Sequence, residues 1–329
     1  MTVPTGTFQT FQAVGDREDL SDIIEDISPT DTPFQSNIKK GKASYTLHEW
    51  QVDVLAAHSA DNAQIEGDDA TTNTVVPTTR FGNRIQIMTK VPRVSSTQQA
   101  VATAGRADEM SYQISKMGKE LKRDIEARLT SAQGANAGGA GTAMEMAGLG
   151  AWLFGNQTLA TTSGTAPTAG TAPTVSSGVP GTDVASGTAG TFLEADLKST
   201  ISACWTDGGD PTLVMVGAFN KRQASAFAGI GTQFRDVQPS AMAPGSIVGA
   251  ADVYISDFGT HQIVANRFQP SNVAYVLDLD YWSVDYLIPV RKVELAKTGM
   301  SDRVMLETHL TLKAEAPDSS GQVRTLTTS

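Results

Sequence analysis

Residues 19–51, DLSDIIEDISPTDTPFQSNIKKGKASYTLHEWQ, decide how this chain can fold. They begin with apolar residues at the i, i+3, i+4, i+7 spacing of one helical face, namely Leu20, Ile23, Ile24 and Ile27. Pro29 and Pro33 prevent the helix from continuing. Because so short a helix is marginal in water by itself, its apolar stripe must dock on a distant part of the chain or on another subunit. The stretch therefore predicts an arm.

Two extended runs follow the arm, over residues 46–54 and 81–91. The segment between them is polar and Thr-rich, and it carries an acidic group made of Asp61, Glu66, Asp68 and Asp69. Such a segment cannot form a core, so the two runs most simply make a long hairpin that projects from the body. We expect the tip of this hairpin to face solvent or a partner.

The strongest helix signal covers residues 108–132. Its apolar seam consists of Met110, Ile114, Met117, Leu121, Ile125 and Leu129. On the outer face, Lys122–Glu126 and Asp124–Arg128 form i, i+4 pairs, which are typical of a long exposed helix.

Residues 155–191 consist almost wholly of Thr, Ser, Gly, Ala and Pro. Such a stretch cannot bury enough surface to order itself, so we predict a surface insertion. A packed region with a mixed α/β pattern resumes at Leu193. Alternating apolar residues then predict sheet strands over residues 273–279, 282–288 and 304–312.

The composition argues against several classes of protein. The 329 residues are 40% hydrophobic, enough for one core or two smaller ones, and the net charge of -10 argues against binding nucleic acid by neutralising phosphates. A single cysteine, Cys204, excludes internal disulfides and thiolate metal clusters and fits a reducing cytoplasm. Residues 1–14 lack the features of a signal peptide, and no later stretch is apolar enough to cross a bilayer.

Side chains that could carry chemistry are better explained as structural residues. The histidines lack the spacing of metal ligands or of a general base and are expected at the surface: His48, His58, His261 and His309. Cys204 falls on the apolar face of its helix, which favours a buried, inert thiol over a nucleophile. The glycines of residues 134–141 follow a helix, which favours a helix stop over a phosphate-binding loop.

Two sets of carboxylates are also better explained as structural residues than as chemical sites. The acidic group of the hairpin could hold a divalent cation, but it lacks regular ligand spacing, which favours a solvated tip. Asp278 and Asp280 resemble the paired carboxylates of some glycosyltransferases, yet their position favours a solvated sheet face or a strand end. We therefore expect no catalytic, cofactor-binding or metal-binding residues, and no enzyme.

Short motifs spread over most of the chain resemble one protein family. They are ISPTDTPF (27–34), KKGK (39–42), HEWQ (48–51), GLGAWL (148–153), FNKR (219–222), DYW (280–282) and ELAKTG (294–299). Each is weak alone, but several in one order over this length rarely coincide. Together they are similar to the major capsid proteins of tailed bacteriophages that have the Hong Kong 97-like fold. The low-complexity stretch lies outside this resemblance.

The resemblance implies an α+β fold in which the long helix is the spine of a peripheral domain. A second, axial domain would cluster around the centres of capsomers. The expected divisions are an N-terminal arm (1–45), an extended hairpin loop (46–104), the peripheral domain with its spine helix (105–154), a low-complexity insertion (155–192), the axial domain (193–290) and C-terminal strands that return to the peripheral domain (291–329).

The same resemblance implies a structural subunit of an icosahedral capsid, which self-assembles into pentamers and hexamers around packaged double-stranded DNA. Arm and hairpin would reach over neighbours, and the expected inter-subunit contact residues are Leu20, Ile23, Ile24, Ile27, Phe34, Trp50, Glu66, Asp68, Asp69, Arg80 and Arg84. Further expected partners are a portal, separate scaffolding or decoration proteins, and DNA without specific contacts. No cofactor and no membrane are expected. The protein would assemble in the host bacterial cytoplasm and reside in the virion.

Two alternatives remain open from the sequence. An encapsulin-type nanocompartment would share the shell fold but load an enzyme as cargo. A surface adhesin or fibre would suit the Thr/Ser-rich stretch but would need export. Some members of the family cross-link their shells covalently through a lysine on the projecting hairpin. This sequence has no lysine between Lys42 and Lys90, so we do not expect that kind of cross-linking.

Overall fold

The computed structural model describes residues 28–67, 69, 75–101, 108–160, 178–180, 189–227 and 252–329. Its helices are α1 (Pro33–Asn37), α2 (Ser96–Ala100), α3 (Glu109–Leu129), α4 (Leu149–Trp152), α5 (Glu194–Thr206) and α6 (Ala218–Ser225). Its strands are β1 (Lys39–Lys42), β2 (Leu47–Val52), β3 (Thr79–Arg84), β4 (Gln86–Lys90), β5 (Arg93–Ser95), β6 (Asn156–Leu159), β7 (Leu213–Val216), β8 (Val253–Ser256), β9 (Gly259–Ala265), β10 (Ala274–Leu277), β11 (Trp282–Glu294), β12 (Ser301–Ala314) and β13 (Gly321–Arg324). The fold class is α+β, as predicted. The predicted arm helix with Leu20, Ile23, Ile24 and Ile27 lies outside the described residues.

The predicted spine helix is confirmed as α3. Asp108 caps its first turn, because the Asp108 carboxylate accepts a hydrogen bond from the Ser111 N–H at 3.1 Å. The second half of the apolar seam is buried, through Leu121, Ile125 and Leu129. The expectation that Glu126 and Arg128 lie on an exposed face is wrong, since both are buried.

The first sheet has the strand order β1–β11–β12–β4, and β5 also pairs with β12. A long antiparallel ladder joins β11 to β12, from Trp282 opposite Ala314 to Glu294 opposite Val304. β1 pairs in parallel with β11, which ties the residues after α1 to this sheet. Helix α3 packs on the sheet, and their shared core includes Leu121, Ile125, Leu129, Leu306, Leu310 and Leu312.

The second sheet has the order β6–β13–β10–β7–β9–β8. Its central strands β7 and β10 are buried on both faces, which explains their uninterrupted apolar sequence. Helix α5 packs against β6 and β13 at one side of the sheet. The second core includes Phe192, Leu197, Ile201, Val214, Val216, Val276 and Val323.

The expected divisions of the chain do not follow the two sheets. Strand β6 falls inside the expected insertion 155–192, yet it pairs with β13 in the second sheet. Strand β11 belongs wholly to the first sheet, so the change of sheet precedes Trp282 instead of following residue 290. Strand β13 lies within residues 291–329 but returns to the second sheet. Alternation within a strand shows that it has a buried face, whereas its partners depend on distant residues.

Only parts of the two predicted extended runs pair with each other as a hairpin. β2 and β3 pair antiparallel from Leu47 opposite Arg84 to Val52 opposite Thr79. The second run then breaks at Ile85, which is buried and donates its N–H to the Thr46 carbonyl at 2.9 Å. Beyond this break, β4 pairs with β12 in the first sheet. The hairpin is therefore anchored in the body through the continuation of its own second strand.

Candidate assembly surfaces

A buried carboxylate fixes the start of the described chain to the spine. Glu126 of α3 accepts hydrogen bonds from the Phe34 N–H at 2.9 Å and the Gln35 N–H at 2.8 Å, both in the first turn of α1. It also accepts one from the Asn266 side-chain amide at 2.7 Å, just after β9. Burial raises the pKa of Glu126 above its ordinary value, and these hydrogen bonds offset only part of that effect. Glu126 therefore joins α1, the spine and the second sheet at one point.

Phe34, a predicted inter-subunit contact, lies in the core of its own subunit. Its side chain is 0% exposed and meets Trp282 edge to face, with ring centroids 6.4 Å apart. It offers no surface to a neighbour and is removed from the predicted contact set. The misreading arose because an aromatic residue just after two prolines looks like part of a mobile arm, whereas the Glu126 carboxylate holds α1 against the spine.

Three polar contacts hold the base of the hairpin against the first sheet. The His48 ring lies 2.8 Å from the Asp285 carboxylate on β11, and the Trp50 indole N–H donates to the Ala314 carbonyl at 2.8 Å. The buried Asn83 side-chain amide donates to the Leu312 carbonyl at 2.8 Å. These contacts tie both hairpin strands to the ladder of the first sheet. Trp50, another predicted contact residue, is half-buried and serves in this anchor.

The segment between β2 and β3 exposes a group of aliphatic side chains, which we call the tip residues. They lie in the described parts of the segment, residues 53–67 and 75–78, and they have no neighbouring core to cover them. Their exposed fractions are 78% for Val54, 93% for Leu55, 77% for Ile65, 88% for Val75 and 70% for Val76. This apolar set was not predicted, because polar residues interrupt it and it shows no period, whereas the acidic side chains of the segment are evident from the sequence.

The charged residues predicted as contacts lie along the same limb. Glu66 and Asp69 are exposed, and Asp68 lies outside the described residues. Arg80 is exposed and pairs with Glu49 across the hairpin at 3.4 Å. Arg84 is half-buried at the hairpin base. Their contacts with neighbouring subunits stay predictions.

Residues considered for chemistry have structural surroundings, and two histidine expectations are wrong. His261 is fully buried: its Nδ1 lies 2.6 Å from the Pro211 carbonyl and its Nε2 2.7 Å from the Ser256 hydroxyl. His48 is largely buried beside Asp285. Single histidines in a sequence give no periodic signal, so their burial could not be read from spacing.

The remaining candidates behave as structural groups. Cys204 is buried as expected, and burial raises the pKa of its thiol to about 12. The Asp278 carboxylate lies at a strand end, where it accepts the Asp280 N–H at 3.2 Å. The helix ends at Leu129, ahead of the glycines, and the glycine stretch instead forms a small turn with Gly139 opposite Thr142.

The described residues contain neither a metal-binding cluster nor a helix that could span a membrane. No group of three or more His, Cys, Asp or Glu side chains there could hold a metal ion. Among the helices in the same part of the chain, none has the length and apolar character needed to span a membrane. The candidate assembly surface in the described part of the chain is the exposed hairpin tip.

The whole chain is similar to phage capsid proteins. A family model described as SU10 major capsid protein matches residues 3–327. The chain is 28% identical over 354 residues to the major capsid protein of Escherichia phage Phieco32, over 98% of this chain and 97% of that protein.

Solved structures show the same fold at lower identity. The Cyanophage A-1(L) capsid asymmetric unit has a TM-score of 0.64 and 15% identity, over 97% of this chain and 98% of that chain. The SrpI encapsulin of Synechococcus elongatus has a TM-score of 0.53 and 8% identity, over 95% of this chain and 93% of that chain. The fold is Hong Kong 97-like, as the sequence motifs predicted. Since the family model spans almost the entire sequence, the chain belongs to the SU10 major capsid protein family and is a shell subunit of a phage capsid.

Proposed function

We propose that this subunit clusters into pentamers and hexamers that form an icosahedral shell around double-stranded DNA, with the hairpin tip bound to a neighbouring subunit. The observation that carries the proposal is the exposure of the tip residues, of which Leu55 is 93% and Val75 is 88% exposed. Apolar side chains held away from the core gain stability only when another surface covers them. Copies of the same chain are the surface that a shell supplies.

The hairpin combines a fixed base with a reaching tip, which suits this role. The base is tied to the first sheet through Trp50 and Asn83, so the direction of the limb is set before assembly. A contact between the tip of one subunit and a different patch of the next is heterologous, and such contacts close into rings when the rotation fits. Many weak contacts of this kind sum to a stable shell.

Further partners follow from charge and composition. A net charge of -10 gives the subunit no general attraction for DNA phosphates, so filling the shell requires a separate machine acting through a portal. Separate scaffolding or decoration proteins would guide the curvature. The single, buried cysteine suits assembly in a reducing host cytoplasm. The role is mechanical, without a catalytic step or cofactor.

The second candidate function is an encapsulin-type shell that holds an enzyme as cargo. The likeness in fold to the SrpI encapsulin supports it, but the family match favours the phage capsid. Uniform small shells that fill with host protein when the chain is expressed alone would favour the encapsulin. The adhesin or fibre alternative finds no support in the family match.

The experiment that tests the proposal removes apolar surface from the tip. The double variant Leu55→Ser with Val75→Ser should fold normally, because neither side chain packs on its own subunit. It should yield few closed particles by sedimentation and negative-stain microscopy. Gln64→Ser, in the same exposed segment, is the matched control and should assemble like the wild type. Normal shells from the double variant would contradict the role of the tip.

A further inference from the structure

A groove lies beside the spine, between α1, the middle of α3 and β11. It has a volume of about 330 Å³. Leu121 and Ile125 line its apolar floor, and Tyr286 and Val290 of β11 line one wall. Val290 is 54% exposed, so part of this apolar surface is open to solvent. The groove is large enough to take side chains from another segment.

Gly118 lines this groove, and no contact among the described residues requires a glycine there. A glycine in the middle of a helix destabilises that helix relative to alanine. A Cβ placed on Gly118 would meet no atom within 4 Å in the described structure. Gly118, Leu121 and Ile125 lie on one face of α3 by their i, i+3, i+7 spacing. A missing side chain at this point lets another backbone approach the spine closely.

The charges around the groove are positive. Lys40 and Lys122 border it and both are exposed, and Lys122 also attracts the buried Glu126 carboxylate. The ligand that fits is therefore an amphipathic segment with an apolar face and acidic flanks. Helices of that kind bind grooves through apolar residues at i, i+3, i+4 and i+7.

One segment of this chain has that chemistry. Residues 19–27 carry the stripe of Leu20, Ile23, Ile24 and Ile27, with acidic residues at Asp19, Asp22, Glu25 and Asp26. The stripe matches the apolar floor, and the carboxylates match the two lysines. The segment contains no basic residue that would oppose them.

The path of the chain favours the groove of a second copy over that of the same subunit. Thr30 and Asp31 border a separate depression of about 530 Å³, formed with Val264 and Ala265 on the side of the second sheet. Ser36 and Lys122 border both depressions and divide them. From Ser36 towards the N-terminus, residues 30–33 leave the groove and line the second depression, so the described chain leads away from its own groove.

We propose that residues 19–27 of one copy occupy the Gly118 groove of a neighbouring copy in the shell. The inference rests on the proposed function, since it requires assembled neighbours. The proposal gives the apolar stripe of residues 19–27 a binding site, and it explains why α3 has a glycine at position 118.

Disulfide trapping tests the proposal with full-length chains. One chain carries Ile24→Cys and a second, distinguishable by a tag, carries Gly118→Cys. The native Cys204 is buried and the pKa of its thiol is raised, so it should not form disulfides in this experiment. Mixed shells, oxidised and run on a non-reducing gel, should give a covalent heterodimer. Lys116→Cys, exposed on another face of α3, replaces Gly118→Cys in the matched control and should give none.

The double variant, with Ile24→Cys and Gly118→Cys in one chain, separates the two possible receptors. A ladder of covalent oligomers supports the neighbouring copy. A faster-migrating monomer, linked within one chain, would overturn the proposal. Intact shells without any cross-link would overturn it as well and leave the shell function standing, whereas a wild type that never assembles would overturn the shell function itself.

A filled groove provides an independent readout if the cysteine variants fail to assemble. Gly118→Trp should occupy the groove and lower the yield of shells by about tenfold or more, the effect of losing roughly one moderate contact per subunit. Gly118→Ala should lower the yield less than Gly118→Trp, because one methyl group hinders only the closest approach to the spine and leaves most of the groove open. Thermal melting of both variants checks that the subunit still folds. Wild-type yields from Gly118→Trp would contradict the proposal.

Discussion

Two buried carboxylates show how single residues fix the hairpin and α1 to the rest of the subunit. Asp285 meets His48 at the hairpin base, and Glu126 holds α1 on the spine. The sequence gives little warning of either. Glu126 has a lysine at i−4, which indicates a surface pair, but Asn266 and the backbone of α1 reach it from 140 and about 90 residues away. Glu126 is buried because hydrogen-bond donors that are distant in sequence surround its carboxylate.

Asp285 makes the attachment of the hairpin sensitive to acid. Burial alone would raise the pKa of Asp285, but hydrogen bonds from His48 and Ser283 outweigh it and hold the pKa below its ordinary value of 3.8. A lowered pKa contributes stability that is complete above the ordinary value and is lost as the pH falls through the folded-state value. Asp285→Asn should therefore cost about 1–3 kcal/mol in the free energy of unfolding at pH 7.

Urea unfolding at pH 7, 5 and 3 measures this effect. The difference between the wild type and Asp285→Asn should be smaller at pH 3 than at pH 5. Asp280→Asn is the control, because the Asp280 side chain is 85% exposed. A difference that stays constant down to pH 3 would refute the pKa argument.

Removing the Glu126 carboxylate should be more damaging than its surface-like sequence suggests. Glu126→Ala leaves the N–H groups of Phe34 and Gln35 and the amide of Asn266 without their acceptor. We expect a loss of about 2–4 kcal/mol in the free energy of unfolding. Asp124→Ala, exposed on the same helix, should change it by less than about 1 kcal/mol. Equal effects from the two variants would argue against the clamp.

Elements with one continuous local pattern were predictable, and elements defined by distant partners were not. Helix α3 was predicted within three residues at either end, because its seam repeats for almost six turns. The break at Ile85 was missed, since apolar alternation continues across it while the strand changes partner from β2 to β12. Strand β13 was missed because its Gly-Gln-Val-Arg sequence looks polar although every residue is buried.

The hairpin should loosen as one element when its anchor is weakened. Trp50→Phe keeps an aromatic ring near Trp152, now 5.5 Å away between centroids, but removes the N–H that reaches the Ala314 carbonyl. We expect a cost of about 1 kcal/mol and faster hydrogen exchange throughout β2 and β3. Exchange in β11 should stay unchanged. Faster exchange in both places, or in neither, would show that Trp50 is not a local anchor.

At the scale of the whole molecule, the two sheets and the spine form a body, and the hairpin extends from it. The fold family was recognisable from motifs, because several of them mark turns and packing sites of that body. The groove beside Gly118 was not, since residues from α1, α3 and β11 meet only after folding. The arm stripe was visible in the sequence, but its receptor was not.

The shell should be held without covalent bonds between subunits. No lysine lies between Lys42 and Lys90, so the projecting part of the hairpin, from β2 to β3, has no lysine amine for an isopeptide bond. Mature particles boiled in SDS with a reducing agent should therefore release monomers of 34.6 kDa on a gel. A ladder of covalent oligomers that survives boiling would show that another residue forms a covalent bond between subunits.

Subunits should cohere because neighbouring copies cover the apolar tip residues of the hairpin. A cryo-electron microscopy reconstruction of the assembled particle at side-chain resolution tests it most directly. We predict that Leu55 and Val75 of each subunit lie in van der Waals contact with a neighbouring copy. If these side chains instead remain in solvent in the closed shell, or fold back onto their own subunit, the account is contradicted.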